Sequence, residues 1–276
     1  MRTLKTLVLT LFLFLMCASN LPAQIDTCFS FNKHIIHSEP LQEDREFWVS
    51  LPMNYDSTQS YPVMYVLDAE WRFDLIRNVA YDLSGNKKLP HHIIIGVPHI
   101  DWEYKRGQDL TFSQSRIEYD GEAVDSTWYN EGNSGKGESF YQYLKEELIK
   151  SVDENYATNG QNVLVGHSYG GYFGAYLLSQ KQQPFSKMLV LDPSIWYSDG
   201  ETIKLLEKNK DIKDSISVYI GYQPEPAFHA KKIEELIELL KKESNISLSY
   251  SKFENETHNS LYLFSFLEGI LRVYED

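Results

Sequence analysis

Val163-Leu164-Val165-Gly166-His167-Ser168-Tyr169-Gly170-Gly171 is the stretch whose reading decides the fold. Three apolar residues of strand type run into Gly-x-Ser-x-Gly. Tyr172-Phe173-Gly174-Ala175-Tyr176-Leu177-Leu178 then continues as a helix. A strand, a sharp turn and a helix in that order form the setting in which this motif presents a nucleophilic serine. The turn forces the serine into a strained backbone conformation, so small residues must flank it, and Gly166 and Gly170 are expected to supply that room. The hydroxyl of Ser168 then projects from the sheet edge. The positive end of the following helix faces the charge that develops on reaction. A glycine-rich turn with a capping serine is the plain alternative, and the strand before and helix after speak against it.

Outward from this turn, further apolar runs of strand length recur. Residues 47–51 (FWVSL) are closed by Pro52, and residues 61–67 (YPVMYVL) end in Asp68. Residues 92–97, 188–191 and 217–220 repeat the nearly uninterrupted apolar pattern of strands covered on both faces. Helical periodicity lies between them. Phe140, Leu144, Leu148, Ile149 and Val152 share one stripe over residues 138–154, as do Ile233, Leu236, Ile237 and Leu240 over residues 228–242. Alternation of this kind predicts a mostly parallel central sheet with helices on both faces, which together with the serine turn is the α/β-hydrolase fold. Residues 101–137 break the rhythm. They are polar, rich in Gly and Ser, and hold Trp102, Tyr104, Trp128 and Tyr129 without period. A loop that long is usually functional and could border a cleft.

The chain has 276 residues, 42% hydrophobic and 24% charged, ordinary for a globular enzyme and unlike a disordered or fibrous chain. Arg2 and Lys5 precede the apolar run from Leu7 to Met16, and small and polar residues follow as far as Ala23. This outline is that of a signal peptide over residues 1–23, too short for a stable membrane anchor, leaving residues 24–276 as a single domain that is secreted or periplasmic. Cys17 raises a lipoprotein as the alternative, but Leu15 and Met16 are large for a lipid-attachment site. Cleavage leaves Cys28 as the one cysteine, read as a small apolar residue, so no intramolecular disulfide forms. Net charge is −13, and about −15 once Arg2 and Lys5 are removed. That surplus argues against nucleic acid and anionic membrane as partners, and more weakly against a highly anionic substrate.

A nucleophilic serine needs a base, and this fold places the histidine last in chain order. Only His229 and His258 follow Ser168. His258 lies in a polar loop between a strand over residues 246–253 and a terminal helix from about Leu261, where the base belongs; His229 reads as a solvated helix residue. The acid is expected after the strand at 217–220, where the loop holds one carboxylate, Glu225. Asp192, after the preceding strand, is the alternative, and Asp199 is a weaker one. Two backbone donors are needed for an oxyanion: the amide of Tyr169, and one from the loop after residues 61–67, assigned to Ala69 with Asp68 the other choice. No metal or cofactor is implied.

At these residues the chain resembles the esterase family that includes enterochelin-type siderophore esterases and feruloyl or acetyl-xylan esterases. The resemblance runs from about Glu46 to the C-terminus. It rests on Tyr65-Val66-Leu67-Asp68-Ala69-Glu70, on Arg106 with Asp109-Leu110-Thr111, on the serine motif, on Asp192-Pro193-Ser194-Ile195-Trp196, and on His258-Asn259-Ser260. It implies hydrolysis of carboxylic esters by Ser168 and His258, with Trp196 and Arg106 at the substrate. It also implies that a Ser-His dyad can suffice, which puts Glu225 in question. The family's usual glycine in the strand-end loop is Ala69 here. Members acting on anionic ferric siderophores are expected to present arginines, for which Arg72, Arg77, Arg106 and Arg116 are the candidates. The small-molecule partner is then a siderophore-type or acylated carbohydrate ester, and the contrasting reading is a catalytically silent binding protein on the same fold.

Overall fold

The computed structural model describes residues 30–99, 101–180, 182–209 and 215–275. Residues 1–23, expected to be a signal peptide, and Cys28 lie outside them. The described residues from Phe31 onward form one compact unit built on an eight-stranded sheet. Its strands are β1 (Asn32–Ser38), β2 (Glu43–Ser50), β3 (Tyr61–Leu67), β4 (Ile93–Val97), β5 (Thr158–His167), β6 (Lys187–Leu191), β7 (Ile216–Tyr222) and β8 (Ile246–Lys252). The order across the sheet is β1-β2-β4-β3-β5-β6-β7-β8, antiparallel at β1/β2 and β2/β4 and parallel elsewhere. This is the mostly parallel sheet with helices on both faces that the sequence predicts.

Strand β3 shows why the pattern reads so clearly. Val63, Tyr65 and Leu67 point into one core layer and Met64 and Val66 into the other, and every residue of the strand is buried. A strand apolar on both faces has to be covered twice. Helix α1 (Ala69–Gly85) covers one face with Phe73, Ile76 and Ala80, joined by Tyr262, Phe266 and Ile270 of the terminal helix α8 (Leu261–Arg272). The opposite face is covered by α3 (Gly137–Gln142), which passes through a π-helical segment (Tyr143–Leu148) into α4 (Ile149–Asn155), by α5 (Tyr169–Leu177), and by α7 (Ala227–Leu240). Each large aliphatic side chain sequestered this way contributes about 1.5–3 kcal/mol. The π-helical segment keeps Phe140, Leu144, Leu148 and Val152 all buried.

Two departures from the sequence reading matter for the site. The segment 101–137 is not wholly aperiodic, because α2 (Trp102–Leu110) forms within it and carries Arg106 inward. A short helix α6 (Glu201–Lys208) follows β6 after a 3₁₀ turn at Tyr197–Asp199. Among the described residues, no helix is long and apolar enough to cross a membrane.

Candidate active site

Parallel strands deliver their C-terminal ends to one edge of the sheet, and four of the loops there carry the chemistry. Ser168 joins β5 to α5 at φ 59°, ψ −117°, the strained conformation expected of a serine turn. Its amide donates to Leu191 O at 3.0 Å, and its carbonyl accepts from Tyr172 N at 2.9 Å and Ser194 N at 3.1 Å, so the neighbouring strand β6 clamps the turn. Ser168 Oγ is 3.4 Å from Ser194 Oγ. The crowding that demands glycine falls differently from expectation. A Cβ on Gly166 would collide with the carbonyl of Gly170, and one on Gly171 would stand 2.9 Å from Pro193 Cβ, whereas one on Gly170 would meet Leu67 at an ordinary 3.5 Å. Gly166 and Gly171 are the sterically required pair.

His258 sits in the loop between β8 and α8, and its Nδ1–H donates to Asp192 Oδ2 at 2.6 Å. The carboxylate can only accept, so the other ring nitrogen, Nε2, is left with its lone pair. The expected partner Glu225 is not there: it is exposed, and its backbone amide is held by the side chain of Gln223. The carboxylate that meets His258 comes from the loop after β6, one strand earlier than the sequence rule places it. The reason is geometric. Asp192 has φ 40° and its amide donates to Gly221 O at 2.6 Å, which turns the side chain along the sheet edge toward His258. Asp199 pairs with Lys204 and Lys232 at the surface.

Asp192 is fully buried, yet each oxygen is satisfied: Oδ1 accepts from Gln223 N at 3.0 Å and from His229 Nε2 at 3.1 Å. Burial alone would raise its pKa. Hydrogen bonds from His229 and His258, together with their charge, outweigh that and hold it well below the usual carboxylate range. His229 is therefore not a solvated helix residue but 3% exposed. It occupies the N-terminal end of the Ile233, Leu236, Ile237, Leu240 stripe, four residues before Ile233, and that spacing is the signal that could have found it. Asp192, His229 and His258 could also grip a cation, as their donor atoms lie within 4.8 Å of one another. The two imidazoles are already matched to the two carboxylate oxygens, which needs no ion. His167, inside the motif, donates Nε2–H to the carbonyl of His258 at 2.7 Å and fixes that loop from below. Burial first, and then the neighbouring His258, push its pKa down to about 3, so it stays neutral.

Across the turn, Ala69 opens α1 directly after Asp68, which adopts a left-handed φ of 55°. The methyl of Ala69 packs beside Gly96, where a Cβ would stand only 3.1 Å away, so alanine is accommodated by a bare position on β4. The side chain of Asp68 does not cap α1, because Arg106 binds it through Nε at 2.6 Å and Nη2 at 3.0 Å. Burial opposes the charge on Asp68, and the Arg106 guanidinium overrides it and lowers the pKa. Behind this pair a buried relay runs from His99 to Asp109 at 2.8 Å and from Asp109 to Arg45.

Ser168, His258, Trp196 and Arg106 all border one cavity of about 890 Å³, which is also lined by Tyr119 and Tyr169. Tyr119 comes from the segment 101–137, so that segment does border the cleft. Tyr129 of the same segment accepts from the Tyr169 hydroxyl at 3.3 Å. A smaller hollow of about 320 Å³ adjoins Ser168 and His258 beside Asp68 and Arg72.

A serine on a strained turn, a histidine and a buried aspartate sharing one sheet edge are the geometry of a serine hydrolase. The model of the family described as "Putative esterase" matches residues 38–262. The chain belongs to this esterase family. It is a carboxylic ester hydrolase. The esterase is 22% identical to ferri-bacillibactin esterase BesA of Bacillus subtilis (strain 168), over 78% of this chain and 79% of that one. It is also similar to the structure of an IroE-like serine hydrolase from Shewanella oneidensis, with 26% identity, a TM-score of 0.78, and coverage of 88% of this chain and 79% of the other. The siderophore hydrolase EstB from Aspergillus nidulans shares the fold at a TM-score of 0.73 and 18% identity, over 92% and 99% of the two chains.

Proposed function

We propose that the esterase hydrolyses siderophore-type esters by two-step acyl transfer. Ser168 Oγ attacks the ester carbonyl while His258 Nε2 takes its proton; the carbonyl carbon gains the serine oxygen, and the alcohol leaves with the proton returned by His258. Water then repeats the sequence and releases the acid. Asp192 holds the imidazole in its Nδ1–H form and stabilises the imidazolium, and the amides of Tyr169 and Ala69 receive the oxyanion. The observation that carries this reading is the 2.6 Å bond from His258 to a buried carboxylate, beside a serine in the strained turn. Likeness to BesA, an esterase of ferri-bacillibactin, supports the siderophore substrate type over acylated carbohydrate.

The basic and apolar start of the chain supports export, so the site of action is periplasmic or outside the cell. The test is chromatographic. Purified protein is incubated with siderophore lactones and with acetylated and feruloylated oligosaccharides, and product acids are resolved. Turnover of the lactones that disappears in Ser168→Ala supports the proposal; undiminished turnover in that variant overturns the mechanism, and turnover of the oligosaccharides alone overturns the substrate type.

A further inference from the structure

The charge of the 890 Å³ cavity runs opposite to what an anionic substrate requires. Three carboxylates line it, Glu225 from the loop after β7 and Glu254 and Glu256 from the loop after β8. Among the described residues two of the three have no cation within ion-pairing distance, and the third shares one. Glu225 has no ion pair, Glu256 accepts only from the Ser260 hydroxyl at 2.6 Å, and Glu254 shares Lys252 at 3.5 Å with Glu234 at 3.8 Å. Arg106 is the one lysine or arginine among the lining residues, and its guanidinium is already bound on two nitrogens to Asp68.

The other three arginines expected at the cleft are spent elsewhere. Arg116 donates to the carbonyls of Ser115 and Tyr129. Arg77 pairs with Asp74 and lies over the ring of Phe31. Arg72 stacks over Tyr262 at 3.9 Å and lines not this cavity but the 320 Å³ hollow on the other side of Ser168 and His258, which the two spaces share. The remaining wall includes the aromatic side chains of Tyr119, Tyr169 and Trp196, which suit an apolar or cationic group.

We infer that this cavity selects esters whose portion inside it is uncharged or cationic and disfavours anionic ones. The inference rests on Ser168 being the nucleophile. Among ferric siderophores it favours complexes whose donor groups just neutralise the metal over those left as polyanions. Exposed carboxylates act through a high dielectric, so three together change reactivity by about tenfold per unit of substrate charge, and salt screens the effect over about 10 Å at 0.1 M.

Three ethyl 4-nitrophenyl alkylphosphonates of matched shape, uncharged at phosphorus, test this, with side arms that end in trimethylammonium, tert-butyl or carboxylate. Each forms a Ser168 Oγ–P bond, breaks the P–O bond to 4-nitrophenolate, and passes the serine proton to His258, so released nitrophenolate reads the rate. The expected order at low salt is cationic at or above neutral, and neutral about tenfold above anionic. It flattens in 0.5 M NaCl and in the combined variant Glu225→Gln, Glu254→Gln, Glu256→Gln. An anionic probe that reacts as fast as the neutral one overturns the inference, and loss of that reaction in Arg72→Gln would show entry through the smaller hollow instead. An order unchanged by salt or by the combined variant overturns it too. If none of the probes reacts faster than with Ser168→Ala, the nucleophile itself is wrong, an outcome distinct from reaction in the wrong order.

Discussion

Asp192 Oδ2 lies 2.6 Å from Nδ1 of His258, although 66 residues separate them in the chain. Asp192→Asn keeps the shape of the loop but removes the charge and the acceptor that select the Nδ1–H tautomer. Turnover number should fall by about 10³–10⁴ at neutral pH, while the circular dichroism spectrum is retained. Glu225→Gln should stay within about twofold on an uncharged ester, since His258 does not touch it. Equal losses in the two variants would contradict the placement of the acid.

His229 gives the same carboxylate its second imidazole. His229→Ala should lower turnover by about tenfold, less than Asp192→Asn, because Gln223 N still holds Oδ1 in place. Steady-state kinetics on one acyl ester compares the two directly.

The glycines of the turn should separate by sterics. Gly166→Ala drives a methyl into the Gly170 carbonyl and should cost about 3 kcal/mol or more of stability, together with activity. Gly170→Ala meets only ordinary contacts inside α5 and should be neutral or stabilise by about 0.5 kcal/mol. Urea unfolding of both proteins measures this.

Arg106→Ala strands the buried Asp68 charge and should destabilise by about 3–5 kcal/mol. Adding Asp68→Asn should recover part of that loss, because the uncompensated charge is then gone. No recovery in the double variant would show that packing of the Arg106 stem, rather than the ion pair, dominates.

Acid should loosen the fold below neutral pH. Burial is the main cause that lowers the pKa of His92, to about 4, and of His167, to about 3. The unfolded chain takes up these protons near 6.5 and the folded one does not, so stability is full above about pH 6.5 and drains as pH falls toward the folded values. Each histidine contributes a slope of about 1.4 kcal/mol per pH unit in that window. His92 is further tied as a neutral ring, donating Nδ1–H to Pro90 O and accepting from the Tyr274 hydroxyl, both at 2.7 Å. His92→Gln should shed one such slope in denaturant titrations between pH 6 and 4.5.

Most of the sheet was legible because β3, β4 and β6 are covered on both faces, and double burial writes an unbroken apolar run. Strand β1 was not, since residues such as Ile35 face solvent and its NKHIIHS sequence carries no such run. Helix α1 was missed because its average hydrophobicity is diluted by Arg72, Asp74, Arg77 and Asp82. At the site, the serine turn and the late histidine follow from chain order, which sequence states directly. The acid does not: choosing between Asp192 and Glu225 depends on the direction a loop leaves its strand, and here a single left-handed residue decides it. Likewise Arg106 was legible as a cleft residue, but its bond to Asp68 joins two elements 38 residues apart.

Anchoring the carboxylate after β6 has a consequence for how such an enzyme can diversify. From Pro224 to Pro226 the loop after β7 is released from any duty to the imidazole, yet it still walls the cavity. Insertions or exchanges there can therefore reshape which esters enter while the proton-transfer machinery stays untouched, making this short stretch the natural place to graft a new substrate range onto the same scaffold.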